Sequence, residues 1–169
     1  KGDRISIGTA VLDIGFSPDG ACFAAGLLDG TVKVWETKSG RLLLAAEPCG
    51  EAAESVTFNP AGNRLLVASA DGIARIFDPA QGAQPVVVFE GHTGPLTQAA
   101  FSPDGNRVVT SSGDGTARIW PAGGGEPLLT IPAGGFVQSA AFTPDGTGLL
   151  TLSQFPSQES SIITGTLRL

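Results

Sequence analysis

Apolar residues along the chain fall into short runs rather than long stripes. VLDIGF at 11–16, RLLVASA at 64–70, IARIF at 73–77, PVVVF at 85–89, RVVTSS at 107–112 and TARIW at 116–120 each span five to seven residues. They are rich in Val, Ile, Leu and Thr, and Gly, Pro, Asp, Asn and Ser punctuate the gaps between them. Such residues suit a pleated, half-buried surface, and runs this short are too brief for a helical repeat. The pattern predicts β-strands joined by tight turns.

The turns keep a period. FSPDG stands at 16–20 and again at 101–105, with FTPDG at 142–146 and the looser FNPAG at 58–62. The leading phenylalanines, Phe16, Phe58, Phe101 and Phe142, are separated by 42, 43 and 41 residues. Asp29-Gly30, Asp71-Gly72 and Asp114-Gly115 each follow their Phe by 13 residues, and an aromatic (Trp35, Phe77, Trp120) follows each Asp by six. A period in the range of 20–50 residues marks a solenoid, propeller or similar array. Four short strands per period make the unit a four-stranded antiparallel β-propeller blade. SPDG suits a type I turn from first to second strand, and the Asp-Gly pairs suit the turn from second to third. The Phe before each SPDG is expected to anchor its strand between neighbouring blades.

FSPDG…DGTVKVWE in the first repeat and GHTGPLTQAAFSPDGNRVVTSSGDGTARIW in the third resemble the WD-repeat family of β-propellers, with FNPAGNRLLVASADGIARIFD a variant in the second. The resemblance covers nearly the whole chain. It implies a side-chain network of His92, Thr110, Asp114 and Trp120 tying the third blade together. The other repeats depart from it: Ile7 and Cys49 stand where His92 does, Ala25 and Val67 where Thr110 does, and Phe77 replaces the Trp of repeat two. Those blades are expected to rely on apolar packing.

The repeats divide the chain into a lone fourth strand (1–8), blades at about 11–48, 53–91 and 95–133, and three strands of a fourth blade at about 136–169. An insertion at about 153–163 separates the second and third strands of that last blade. Three architectures fit: part of a larger propeller, half of an eight-bladed dimer, or a small closed ring. The chain opens on Lys1 with no basic-then-apolar leader, which reads as a start within a protein or after processing.

Composition removes several function classes. With ten basic and sixteen acidic residues the formal net charge is −6, and the basic residues are scattered, which argues against nucleic-acid binding. No apolar run reaches the ~18–20 residues of a membrane span. Cys22 and Cys49 lie 27 residues apart with no CxxC spacing, so neither zinc nor a disulfide framework is expected, and a reducing, cytoplasmic setting fits. Cys22 reads as a small buried hydrophobe. The run at Gly123–Gly125 lacks the GK[ST] ending of a phosphate loop and reads as a turn. Asp19, Asp104 and Asp145 recur with the turn and lie on separate blades, so they form no calcium site.

His92 is the one histidine. As a general base it would be oriented by Asp114, but its spacing is accounted for by the structural network. No catalytic residue, metal or cofactor is expected. The reading is a scaffold for a protein or peptide partner, against two alternatives: an enzyme on a propeller, or blades serving mainly self-assembly as a homodimer. The binding rim comprises 46–54, 90–97 and 132–138 with the insertion, and Gln154, Phe155, Pro156, Gln158 and Glu159 are the candidate contacts. Phe136 is expected to be an inward residue of a first strand.

Overall fold

The computed structural model describes residues 7–47 and 50–154. Among these residues all regular structure is β, in three sheets of four antiparallel strands and one antiparallel pair. Blade one holds β1 (Val11–Phe16), β2 (Cys22–Leu27), β3 (Val32–Glu36) and β4 (Leu42–Ala46), in that spatial order. Blade two repeats the arrangement with β5 (Ala53–Phe58), β6 (Leu65–Ser69), β7 (Ala74–Phe77) and β8 (Pro85–Phe89). Blade three holds β9 (Leu96–Phe101), β10 (Arg107–Ser112), β11 (Thr116–Pro121) and β12 (Leu129–Pro132). Blade four begins with the pair β13 (Phe136–Phe142) and β14 (Leu149–Gln154). The third strand expected there and most of the insertion fall outside the described residues.

Consecutive blades lie sheet against sheet. The first junction buries Ala24, Val34 and Leu44 of blade one against Val56, Phe58, Leu65 and Phe77 of blade two. The second buries Leu66, Ile76 and Phe89 against Leu96, Val108 and Trp120, and the third Val109 and Ile119 against Ala140 and Leu149. β6 shows why its sequence runs apolar without alternation: Leu65 and Val67 enter the first core while Leu66 and Ala68 enter the second. Outer strands such as β8 meet solvent and alternate instead. The innermost strands β1, β5, β9 and β13 pack each against the next, and among the described residues no comparable contact joins β13 back to β1. The described residues form an open arc, consistent with a partial propeller.

The repeated turns are built as their residues suggest. Gly20, Gly62, Gly105 and Gly146 each return an N–H to the carbonyl three residues back, at 2.8 Å in every case, and each holds a positive φ that L side chains avoid. Asp19, Asp104 and Asp145 accept from the hydroxyl two residues before them. Blade two has Ala61 there, and Asn59 substitutes by accepting from Asn63 N and Arg64 N. At the Asp-Gly turns only the glycines (Gly30, Gly72, Gly115) have positive φ, so these are type I turns closed by a left-handed Gly. The glycine run also lies in a turn, with Gly124 N donating to Pro121 O at 3.0 Å.

Three expectations need correction. Phe16 does not anchor a junction: it is 60% exposed, since among the described residues no blade packs against it, whereas its counterpart Phe58 is buried. Phe136 opens the inner strand β13 but is 44% exposed, leaning on the turn at Gly113. Cys22 is only half-buried and borders a cavity of about 340 Å³ with Val34, Leu43 and Phe58. Burial and the nearby carboxylates of Asp19 and Glu36 raise its thiol pKa, which disfavours the reactive thiolate.

Candidate functional site

Two places concentrate polar side chains on this apolar stack. The first is the interior of blade three. His92 Nδ1 lies 2.8 Å from Asp114 Oδ2, and His92 Nε2 lies 2.8 Å from Thr110 Oγ1. The Trp120 indole N–H donates to the same hydroxyl at 2.9 Å. These bonds assign the neutral tautomer: Nδ1–H donates to the carboxylate, Nε2 accepts from Thr110, and Thr110 accepts from Trp120. Asp114 also accepts from Thr93 N, Thr116 N and Thr116 Oγ1. Its pKa falls to about 2, because these donors outweigh the opposing effect of burial. Burial lowers the His92 pKa, Asp114 opposes that, and Arg118 adds to it.

Both imidazole nitrogens are occupied, and the His92 side chain is 1% exposed. A general base needs a free nitrogen within reach of substrate. This one has neither, so the constellation chemically resembles a staple. It ties the loop before β9 to the turn after β10 and to β11. Ser112 Oγ reinforces that tie by bonding Gly94 O and Pro95 O, each at 3.0 Å.

The second place is the groove along the inner strands, with a volume of about 580 Å³. Each inner strand carries a β-bulge at the same point, between Val11 and Asp13, Ala53 and Ser55, Leu96 and Gln98, and Val137 and Ser139. The skipped residues are Leu12, Glu54, Thr97 and Gln138, and all four line the groove. A bulge inserts one residue and re-aims its side chain, and bulges cluster beside functional sites. The position just before each bulged residue is apolar in every repeat (Val11, Ala53, Leu96 and Val137), while the bulged position is aliphatic, acidic, hydroxylic and amidic in turn. That contrast, four residues before each Phe, was the signal in the sequence that periodicity alone passed over.

The rim above the groove is formed where the turns between second and third strands meet the loops between blades. Leu28 N bonds Ala10 O, Ala70 N bonds Ala52 O, Gly113 N bonds Pro95 O and Ala133 N bonds Gly115 O, all at 2.9–3.0 Å. Of the insertion candidates, Gln154 ends β14 exposed, its Nε2 3.5 Å from Gln138 Oε1. Phe155, Pro156, Gln158 and Glu159 lie outside the described residues. Among the described residues no group of three or more His, Cys, Asp or Glu is placed to hold a metal ion. No helix there is long and apolar enough to cross a membrane.

The WD domain, G-beta repeat family matches residues 5–36, 50–78 and 83–121, more than half of the chain. The chain belongs to the WD-repeat family. It is similar to WD repeat and SOCS box-containing protein 1 of Xenopus tropicalis, 35% identical over 78 residues, which are 46% of this chain and 18% of that protein. The human protein of that name matches to the same extent. WD repeat-containing protein RUP1 of Arabidopsis thaliana is 38% identical over 79 residues, 45% of this chain and 20% of RUP1. The WD-repeat match thus spans about a fifth of the length of these relatives.

Proposed function

We propose that this WD-repeat arc is a non-catalytic scaffold that recognises a protein or peptide partner along its inner-strand groove and the adjoining rim. One observation carries the reading. Four equivalent bulges on a repeating frame point four chemically different side chains, Leu12, Glu54, Thr97 and Gln138, into one groove. A residue needed for packing would repeat with the frame, as the apolar position just before each bulge does. Variation confined to the groove is what a surface selected for a particular partner requires. The WD-repeat relatives agree with a scaffold, since their names describe no enzyme. Gln154 and the insertion residues Phe155, Pro156, Gln158 and Glu159 extend the same surface in this proposal.

The test uses peptides selected by phage display on the immobilised chain. Glu54→Ala and Gln138→Ala should each weaken the selected peptides about tenfold, the loss of a charge-assisted or buried polar contact. Lys38→Ala, on the exposed turn between β3 and β4, should leave affinity unchanged. Peptides indifferent to Glu54 and Gln138, or no peptide selected above background, would refute the assignment.

A further inference from the structure

Each second strand runs from an FSPDG-type turn to the turn that meets the groove rim, so the FSPDG-type turns lie on the opposite edge of the arc. On that edge the junctions differ. At the third junction Arg107, which opens β10, crosses from blade three to blade four. Its guanidinium carbon lies 5.2 Å from the centroid of the Phe142 ring, and its Nη2 donates to Gly146 O at 2.9 Å. A cation within about 6 Å of an aromatic face is attracted by the ring quadrupole. The charge of Arg107 also reaches Asp104 in its own blade and helps to hold that carboxyl low.

The residue six after the leading Phe is Cys22, Arg64, Arg107 and Gly148 in the four repeats. At the first junction the counterpart of Arg107 is therefore Cys22, and those of Phe142 and Gly146 are Phe58 and Gly62. The short thiol side chain cannot bridge the blades as Arg107 does. In place of the bridge a cavity of about 340 Å³ opens, lined by Cys22, Phe58 and Gly62 together with Val34, Leu43 and Asp78. The negative charge of this corner is kept although the base is gone. Asp19, the counterpart of Asp104, and Glu36 both act on Cys22. Asp78 adds a carboxylate in the cavity wall itself, and none of the lining residues is basic. Asp78 already accepts from Ala80 N and Gln81 Nε2, and a carboxylate has lone pairs for further donors.

We propose that this cavity is a binding site for the arginine side chain of a partner peptide, docked between blades one and two as Arg107 is docked between three and four. The alkyl stem lies along Val34 and Leu43 and the guanidinium over Phe58, donating to Gly62 O and the Asp78 carboxylate. The site is on the other edge of the blades from the groove rim, so its occupation is independent of the groove.

Titrating isotope-labelled residues 1–169 with N-acetyl-arginine amide tests this by amide shifts in NMR. Shifts at Gly62, Asn63 and Ala80 should saturate with millimolar affinity. N-acetyl-citrulline amide, the uncharged isostere, should bind about tenfold more weakly, through loss of the charge-assisted bonds. Asp78→Asn, which keeps an acceptor for Ala80 N, should weaken the arginine probe by about the same factor. Cys22→Arg should supply the guanidinium from within, abolish the probe's shifts and raise the unfolding midpoint. If Cys22→Arg fails to fold, the Asp78→Asn and citrulline arms decide. Shifts that do not saturate, citrulline binding as tightly as arginine, or an Asp78→Asn affinity equal to the parent's would each overturn the assignment. A folded Cys22→Arg chain that still binds the probe would overturn it as well.

Discussion

Thr110→Val isolates the polar contribution of the blade-three staple, because valine matches threonine in volume and shape. The Thr110 hydroxyl accepts from the Trp120 indole at 2.9 Å and serves His92 Nε2 at 2.8 Å. Both partners are 1% exposed, so water cannot replace the lost bonds. Leaving a buried polar group unpaired costs about 1–3 kcal/mol, and two are orphaned, so the expected loss is about 2–6 kcal/mol. Urea unfolding followed by tryptophan fluorescence should show a lower midpoint with an unchanged slope. The reverse change in blade two supplies the control. Val67 occupies the same position, fully buried beside Phe77, which has no N–H to offer. Val67→Thr should therefore also destabilise, by about 1–3 kcal/mol, because the added hydroxyl meets no partner. A Thr110→Val loss below about 0.5 kcal/mol would refute the view that the four residues act as a unit, since surface changes alone reach that size.

Further tests address other parts of the frame. Gly26→Ala should lower the melting temperature, with a cost of about 1–3 kcal/mol, because the added Cβ would lie 2.5 Å from the Ala53 carbonyl across the first junction. Ser102→Ala should cost about 1–2 kcal/mol by removing the acceptor of Arg107 N, and Ser102→Asn should recover part of it, as Asn59 performs that task in blade two. Stability should fall as pH drops below 6.5, because the unfolded chain protonates its histidine while buried His92, with its lowered pKa, resists. His92→Gln should abolish that slope in a urea titration series. A second decline should begin below pH 3.8, as the unfolded chain takes up protons that Asp104, Asp114 and Asp145, each held at about 2, still refuse.

Much of the frame was legible because it depends on local chemistry repeated at a fixed interval. SPDG and Asp-Gly encode turns within a few residues, and runs such as RLLVASA show two buried faces by lacking alternation. The exposure of Phe16 was not legible, because the residue is identical to its buried or half-buried counterparts Phe58, Phe101 and Phe142 and differs only in having no described blade packed against it. The bulges escaped notice for a related reason. Their signature is a position where the repeat fails, and a search for regularity discards such positions. The side chains of the groove come from four strands far apart in sequence, so only the assembled arc brings Leu12, Glu54, Thr97 and Gln138 together.

The bulge also explains how one chain reconciles a demanding stack with a variable surface. A regular strand alternates its side chains between two faces, and in the middle of this arc both faces of a blade are packed against neighbours. Without an irregularity, altering a groove residue would alter a junction. Inserting one residue per inner strand places a side chain outside that alternation, so Glu54 can change while Ala53 and Ser55, each buried beside it, stay in place. At Glu54 and Gln138 stability and recognition then rest on adjacent but separate positions, whereas the Thr97 hydroxyl lies 2.7 Å from Val137 O and also serves the third junction. If that separation holds, Glu54→Ala and Gln138→Ala will leave the unfolding midpoint within about 0.5 kcal/mol of the parent while changing peptide affinity. A substantial loss of stability in either would show that the bulged residues belong to the frame after all.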